Sequence, residues 1–101
     1  MLLVYTTLPK RRDAEKIAQQ LLKEKMVACA NIFEITSLYV WEKKLKREPE
    51  FVLLCKTSRN KKALVENRLK QLHPYQLPAI IFIPVTASRE FSKWVEDSCR
   101  Q

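Results

Sequence analysis

His73-Pro74-Tyr75-Gln76-Leu77-Pro78 gathers the only histidine of the chain, a tyrosine and two of its five prolines into six residues. A neutral imidazole is a common metal ligand and a phenol is a hydrogen-bond donor, so His73 is a candidate metal ligand. The two prolines bar a helix, so the stretch is a stiff connection that displays both rings. Lys56 is the second chemical feature, because it interrupts the apolar run Phe51-Val52-Leu53-Leu54-Cys55. A buried ammonium needs a partner. Lys56 therefore either reaches a carboxylate such as Glu34 or Glu42, or faces a cleft that takes a small anion. Cys29, Cys55 and Cys99 are odd in number, form no metal-type pair and suit reduced thiols in a cytoplasm. No nucleophile–base pair is legible, so no enzymatic activity and no obligatory cofactor are expected.

Composition bounds the rest. A chain of 101 residues with 47% hydrophobic and 30% charged residues reads as a single folded domain, residues 1–101. Its beginning lacks a basic segment, a long apolar stretch and a small-residue cleavage site, and no apolar run is long enough for a bilayer, so a cytoplasmic protein without a membrane partner is expected. The net charge of +8 is spread along the chain and reads as a solvated basic surface. There is no glycine, which excludes glycine-rich phosphate loops and dinucleotide fingerprints. It also leaves tight turns and helix ends to other residues.

The elements that must position these side chains follow from periodicity. Residues 2–7 read as a buried strand closed by Pro9. Ala14, Ile17, Ala18, Leu21, Leu22 and Met26 recur at helical spacing, and the positive cluster Lys10-Arg11-Arg12 places the helix start nearer Asp13. Residues 27–42 alternate as a long strand, with Cys29, Asn31, Phe33 and Ile35 on one side. Lys43-Lys44 is the expected turn, and residues 45–57 return, with Pro49 marking a bulge or an unpaired edge position. A second helix over 60–72 is capped by Ser58 or Asn60 and presents Ala63, Leu64, Val65, Leu69 and Leu72. Residues 79–85 form a last strand, with Pro84 tolerated at a sheet edge. Ser88 caps a final helix bearing Phe91, Trp94 and Val95. The order β-α-β-β-α-β-α predicts an α+β, ferredoxin-like sandwich with a long β2–β3 hairpin and an extra C-terminal helix.

The hairpin is too long for a lone subunit. Sixteen extended residues reach roughly 50 Å, whereas a compact domain of this size is about 35 Å across. Its distal part, with Leu38, Tyr39, Val40 and Trp41, either projects and pairs with another chain or folds back at Thr36-Ser37. A closed ring of subunits is the expected outcome. An RNA-recognition reading shares the element order, but residues 51–56 lack its basic-glycine-aromatic signature, so no specific nucleic-acid partner is expected.

Five segments carry a resemblance. Ala28-Cys29-Ala30-Asn31-Ile32, Ser37-Leu38-Tyr39-Val40-Trp41-Glu42, Leu54-Cys55-Lys56-Thr57, His73-Pro74-Tyr75-Gln76-Leu77-Pro78 and Ile83-Pro84-Val85 occur in the order found in CutA, the divalent-cation-tolerance family. The resemblance covers residues 4–94 and implies a PII-like homotrimer joined through its hairpins and associated with tolerance to copper and other divalent cations. By motif position it implies an intersubunit cleft lined by Tyr39, Trp41, Lys56, Thr57, His73, Tyr75 and Pro78, with Cys29 and Asn31 on the strand beside it. Such a cleft would hold a metal ion or a small anionic ligand. Two positions depart from the copper-associated pattern: Thr6 stands where a cysteine is found, and Ala79 where an acidic residue is common.

Overall fold

In the computed structural model, which describes residues 1–100 and leaves Gln101 outside the described residues, four strands and three helices follow the expected order. They are β1 (Leu2–Leu8), α1 (Arg11–Lys23), β2 (Cys29–Trp41), β3 (Lys44–Thr57), α2 (Lys62–Leu72), β4 (Ile80–Pro84) and α3 (Arg89–Ser98). The sheet is antiparallel in the order β2-β3-β1-β4, which is the ferredoxin-like arrangement. Alternation sorts its two faces. Val4, Leu8, Leu53 and Cys55 point to one side and bury themselves against Ala14, Ile17, Ala18 and Leu21 of α1 and Val65 and Leu69 of α2. Leu3, Tyr5, Asn31, Leu54, Lys56, Ile81 and Ile83 share the opposite face by register.

Helix α1 opens earlier than the charge argument predicts. It begins at Arg11 with Lys10 as an N-cap that offers no side-chain bond, and the Asp13 and Ala14 amides bond to the Lys10 carbonyl at 3.1 and 3.3 Å. Asp13 supplies the negative charge in that first turn, and Arg11 turns away to lie 5.1 Å over the Phe51 ring. At its other end, Lys25 takes the left-handed φ of 58°. The Met26 amide bonds to the Leu21 carbonyl at 2.9 Å and the Lys25 amide to that of Leu22 at 3.1 Å. That is a Schellman ending made without glycine, and it places Met26 beyond the helix.

Further corrections are local. The hairpin turn is Glu42-Lys43, one residue before the expected pair, with both residues at positive φ (51° and 65°) between the paired Trp41 and Lys44. That is the twist a two-residue hairpin requires, normally taken by asparagine or glycine. The second helix is entered through a 3-10 turn at Arg59–Lys61, so α2 begins at Lys62. Ser58 caps nothing there, because its hydroxyl goes to Asn60 Oδ1 at 2.6 Å. Leu64 of the expected apolar face is exposed. Ser88 does cap α3, accepting from the Phe91 amide at 3.3 Å.

The hairpin stays straight. Pairing of β2 with β3 continues through Thr36↔Pro49 and Ser37↔Glu48 to Trp41↔Lys44, so there is no fold-back at residues 36–37. Pro49 causes no bulge. Strand β1 ends opposite Phe51, so Pro49 has no neighbour on that side to be deprived of a donor. Residues 35–41 and 44–50 therefore form a two-stranded arm of about 23 Å beyond the body. The chain measures 46 × 25 × 21 Å in consequence.

Candidate functional site

The proline loop is pinned to the sheet by the histidine. His73 ends α2 in an extended conformation and is only 8% exposed. Its Nδ1 accepts the Tyr75 backbone N–H at 3.1 Å, so in the neutral ring Nε2 carries the proton, which it donates to Thr6 Oγ1 at 3.0 Å. Burial holds the imidazole below its ordinary pKa of 6.5, against weaker opposing influences from the Thr7 backbone, Glu50 and Asp13. Both nitrogens are thus committed within the protein. Thr6, the departure noted in the sequence, is the hydroxyl that receives the ring.

Beyond Thr6 strand β4 no longer flanks β1, and the loop turns towards the root of the arm. Here the Tyr75 hydroxyl donates to Glu50 Oε2 at 2.7 Å and Ser37 Oγ donates to Glu50 Oε1 at 2.7 Å. One residue pair further out, Tyr39 donates to Glu48 Oε2 at 3.0 Å. Burial together with Glu50 raises the Tyr75 phenol above its usual range. The Glu48 carboxylate does the same to Tyr39. Tyr39, Glu48, Glu50 and Tyr75 line a cavity of about 600 Å³ between arm and loop, to which Trp41 and Lys46 also contribute.

A single chain divides the expected cleft. Tyr39, Trp41 and Tyr75 share this cavity, whereas half-buried Pro78 is not among its lining residues. Cys29, Asn31 and Lys56 cluster at the other end of β2, about 33 Å along the strand from Tyr39. There the Lys56 Nζ donates to Asn31 Oδ1 at 2.7 Å, lies 3.8 Å from Cys29 Sγ and sits 5.9 Å over the Phe91 ring. Neither Glu34 nor Glu42 is its partner, because the register puts Glu34 opposite Phe51 and Glu42 at the hairpin tip. Thr57 is no part of either cluster. It is fully buried, donates to the Met26 carbonyl at 2.6 Å and lies 3.5 Å from Cys99 Sγ. Glu48 and Glu50 are the residues the sequence reading missed. Their signal was a charged stripe, Lys44-Lys46-Glu48-Glu50, at alternate positions of the strand.

The donor set does not fit a resident copper ion. Transition ions need several nitrogen, sulfur or carboxylate donors at once. Among the described residues no three His, Cys, Asp or Glu side chains are grouped closely enough to hold one. Cys55 is no candidate, since burial pushes its thiol up to about 12.

The profile of the CutA1 divalent ion tolerance protein family matches residues 2–98. The chain belongs to that family. The divalent-cation tolerance protein CutA of Pyrococcus horikoshii is 38% identical over 102 residues, spanning 100% of both chains. Its namesake from Archaeoglobus fulgidus is 38% identical over 96 residues, 94% of each. Among solved structures, CutA1 from P. horikoshii superposes with a TM-score of 0.96 at 39% identity over 100% of both chains. The PII-like protein CutA from a Nostoc species in its apo form gives 0.92 at 32% identity, covering 99% of this chain and 98% of its own. The CutA1 fold and the ferredoxin-like order are therefore one and the same finding here.

Proposed function

We propose that this CutA1 chain acts as a cytoplasmic homotrimer in the response to divalent cations, copper among them, through a ligand cleft completed between subunits and without catalysing a reaction. The observation that carries this reading is the straight arm. Leu38, Val40 and Leu45 on it are 62%, 69% and 72% exposed, far from any core of their own chain. At about 1.5–3 kcal/mol for full burial of such a side chain, covering their exposed parts offers roughly 3–6 kcal/mol per arm. A ring in which every arm is covered recovers that amount at each junction, enough to offset much of the cost of association. A PII-like sensing role is favoured over direct coordination by His73, whose nitrogens are already engaged. Three cysteines held as thiols support the cytoplasmic assignment. No helix of the described residues is long and apolar enough to cross a membrane.

The experiment is growth under graded Cu²⁺ and Zn²⁺ of cells lacking this protein, supplied with the wild type or with Leu38→Lys/Leu45→Lys. The wild type should restore tolerance and the arm variant should not. Full rescue by an arm variant that is monomeric would contradict the reading.

A further inference from the structure

We propose that the cavity between arm and proline loop binds a compact organic ammonium; this rests on the cleft reading above and names the chemical class of its ligand. The lining differs in kind from the rest of the surface. In a chain of net charge +8, the cavity brings together Glu48 and Glu50 against the single ammonium of Lys46, and so carries one net negative charge. Three aromatic rings, Tyr39, Trp41 and Tyr75, complete it. An aromatic face attracts a cation electrostatically, and a ring of such faces with a nearby carboxylate is the setting in which alkylammonium groups are recognised.

Two details favour a cation over a neutral or anionic guest. Both tyrosine hydroxyls are tied to the glutamates, so what the tyrosines have left to offer a guest is their rings. Glu50 uses both oxygens on Tyr75 and Ser37, but Glu48 receives Tyr39 on Oε2, and among the described residues no protein donor reaches its Oε1. Elsewhere three of the chain's aromatic rings, all phenylalanines, carry its own cations. Arg11 lies over Phe51, Lys62 over Phe82 and Lys56 over Phe91, at 5.1, 5.2 and 5.9 Å. No such internal cation lies over Tyr39, Trp41 or Tyr75 among the described residues. The volume of about 600 Å³ suits a small molecule rather than a polypeptide segment.

The probe is choline, set against 3,3-dimethylbutan-1-ol, which has its shape without its charge. Titrations of the full chain followed by calorimetry and ligand-observed NMR should show saturable choline binding, with the neutral alcohol at least tenfold weaker. Glu48→Gln and Trp41→Ala should each weaken choline tenfold or more, and Lys46→Gln should tighten it. Glu48 and Lys46 are surface positions whose substitution leaves the core intact, so these variants remain informative if Trp41→Ala misfolds. Absence of saturable choline binding would overturn the proposal. So would equal binding of the alcohol, indifference to Glu48→Gln, or preferential binding of citrate or of Mn²⁺. Sedimentation of the same samples separates the two readings. Choline bound to a monomer would remove the trimer and leave the pocket, whereas a trimer blind to choline would remove this inference alone.

Discussion

Replacing His73 by alanine separates a loop pin from a metal ligand. The ring makes two hydrogen bonds, to Thr6 Oγ1 at 3.0 Å and from the Tyr75 amide at 3.1 Å. Truncation leaves the Tyr75 N–H and the almost fully buried Thr6 hydroxyl without their partner. Each orphaned group costs about 1–3 kcal/mol, and the vacated ring volume adds roughly 1 kcal/mol more. An expected loss of about 3–7 kcal/mol is a large share of the roughly 5–15 kcal/mol that holds a domain folded. At about 4–8 °C per kcal/mol for a chain of this size, the midpoint of thermal unfolding should fall by more than 10 °C. Urea and thermal unfolding by circular dichroism, at equal chain concentration, provide the readout. Thr6→Val should cost about 1 kcal/mol, and the double variant should lose less than the sum, because each single change breaks the same bond. Copper calorimetry on the same preparations completes the test. If His73→Ala unfolds like the wild type yet abolishes tight stoichiometric Cu²⁺ binding, the pin argument is wrong and His73 is a ligand.

Other expectations concern turns and acid. Lys25→Gly should stabilise the protein by about 0.5–1 kcal/mol, since a left-handed L-residue costs roughly 1–2 kcal/mol and glycine gives part of that back in unfolded-state entropy. Lys25→Ala, still left-handed, should give no gain in the same unfolding assay. Acidification should weaken the fold in two stages. Burial holds the folded His73 pKa below its ordinary 6.5, so the unfolded ring binds the proton first. Stability is therefore whole above pH 6.5 and is lost as pH falls from there to the folded pKa. Glu24, held at about 2 by Arg68 and Gln20 against an ordinary 4.5, contributes above 4.5 and loses that contribution as pH falls towards 2. Midpoints measured across pH should show both stages, and Arg68→Gln should diminish only the second.

Strand order and arm length were legible because alternation and proline placement are strong signals that tertiary contacts did not override. Pro9 and Pro84 fell at or beyond strand ends as their missing donors require. The arm could be argued from residue count alone. What escaped were features decided by backbone geometry. The Glu42-Lys43 turn and the Lys25 helix ending use left-handed residues that sequence preference would never choose, and in a chain without glycine no residue marks them. Helix α1 starts at Arg11 because Asp13 and the Phe51 ring absorb charge that looked prohibitive from the chain alone. The site was half legible. Resemblance placed Tyr39, Trp41 and Tyr75 together, but it also drew in Thr57, whose hydroxyl serves the core. Glu48 and Glu50 were hidden because their partners, Tyr39, Ser37 and Tyr75, come from other segments.

The arm's exposed apolar residues are the ground of the functional account, and sedimentation equilibrium tests them most directly. At micromolar concentration the wild type should sediment as a single species of three chains, and Leu38→Lys/Leu45→Lys should shift it to one chain. A wild type that remains a monodisperse monomer with its arm exposed would contradict the account at its centre.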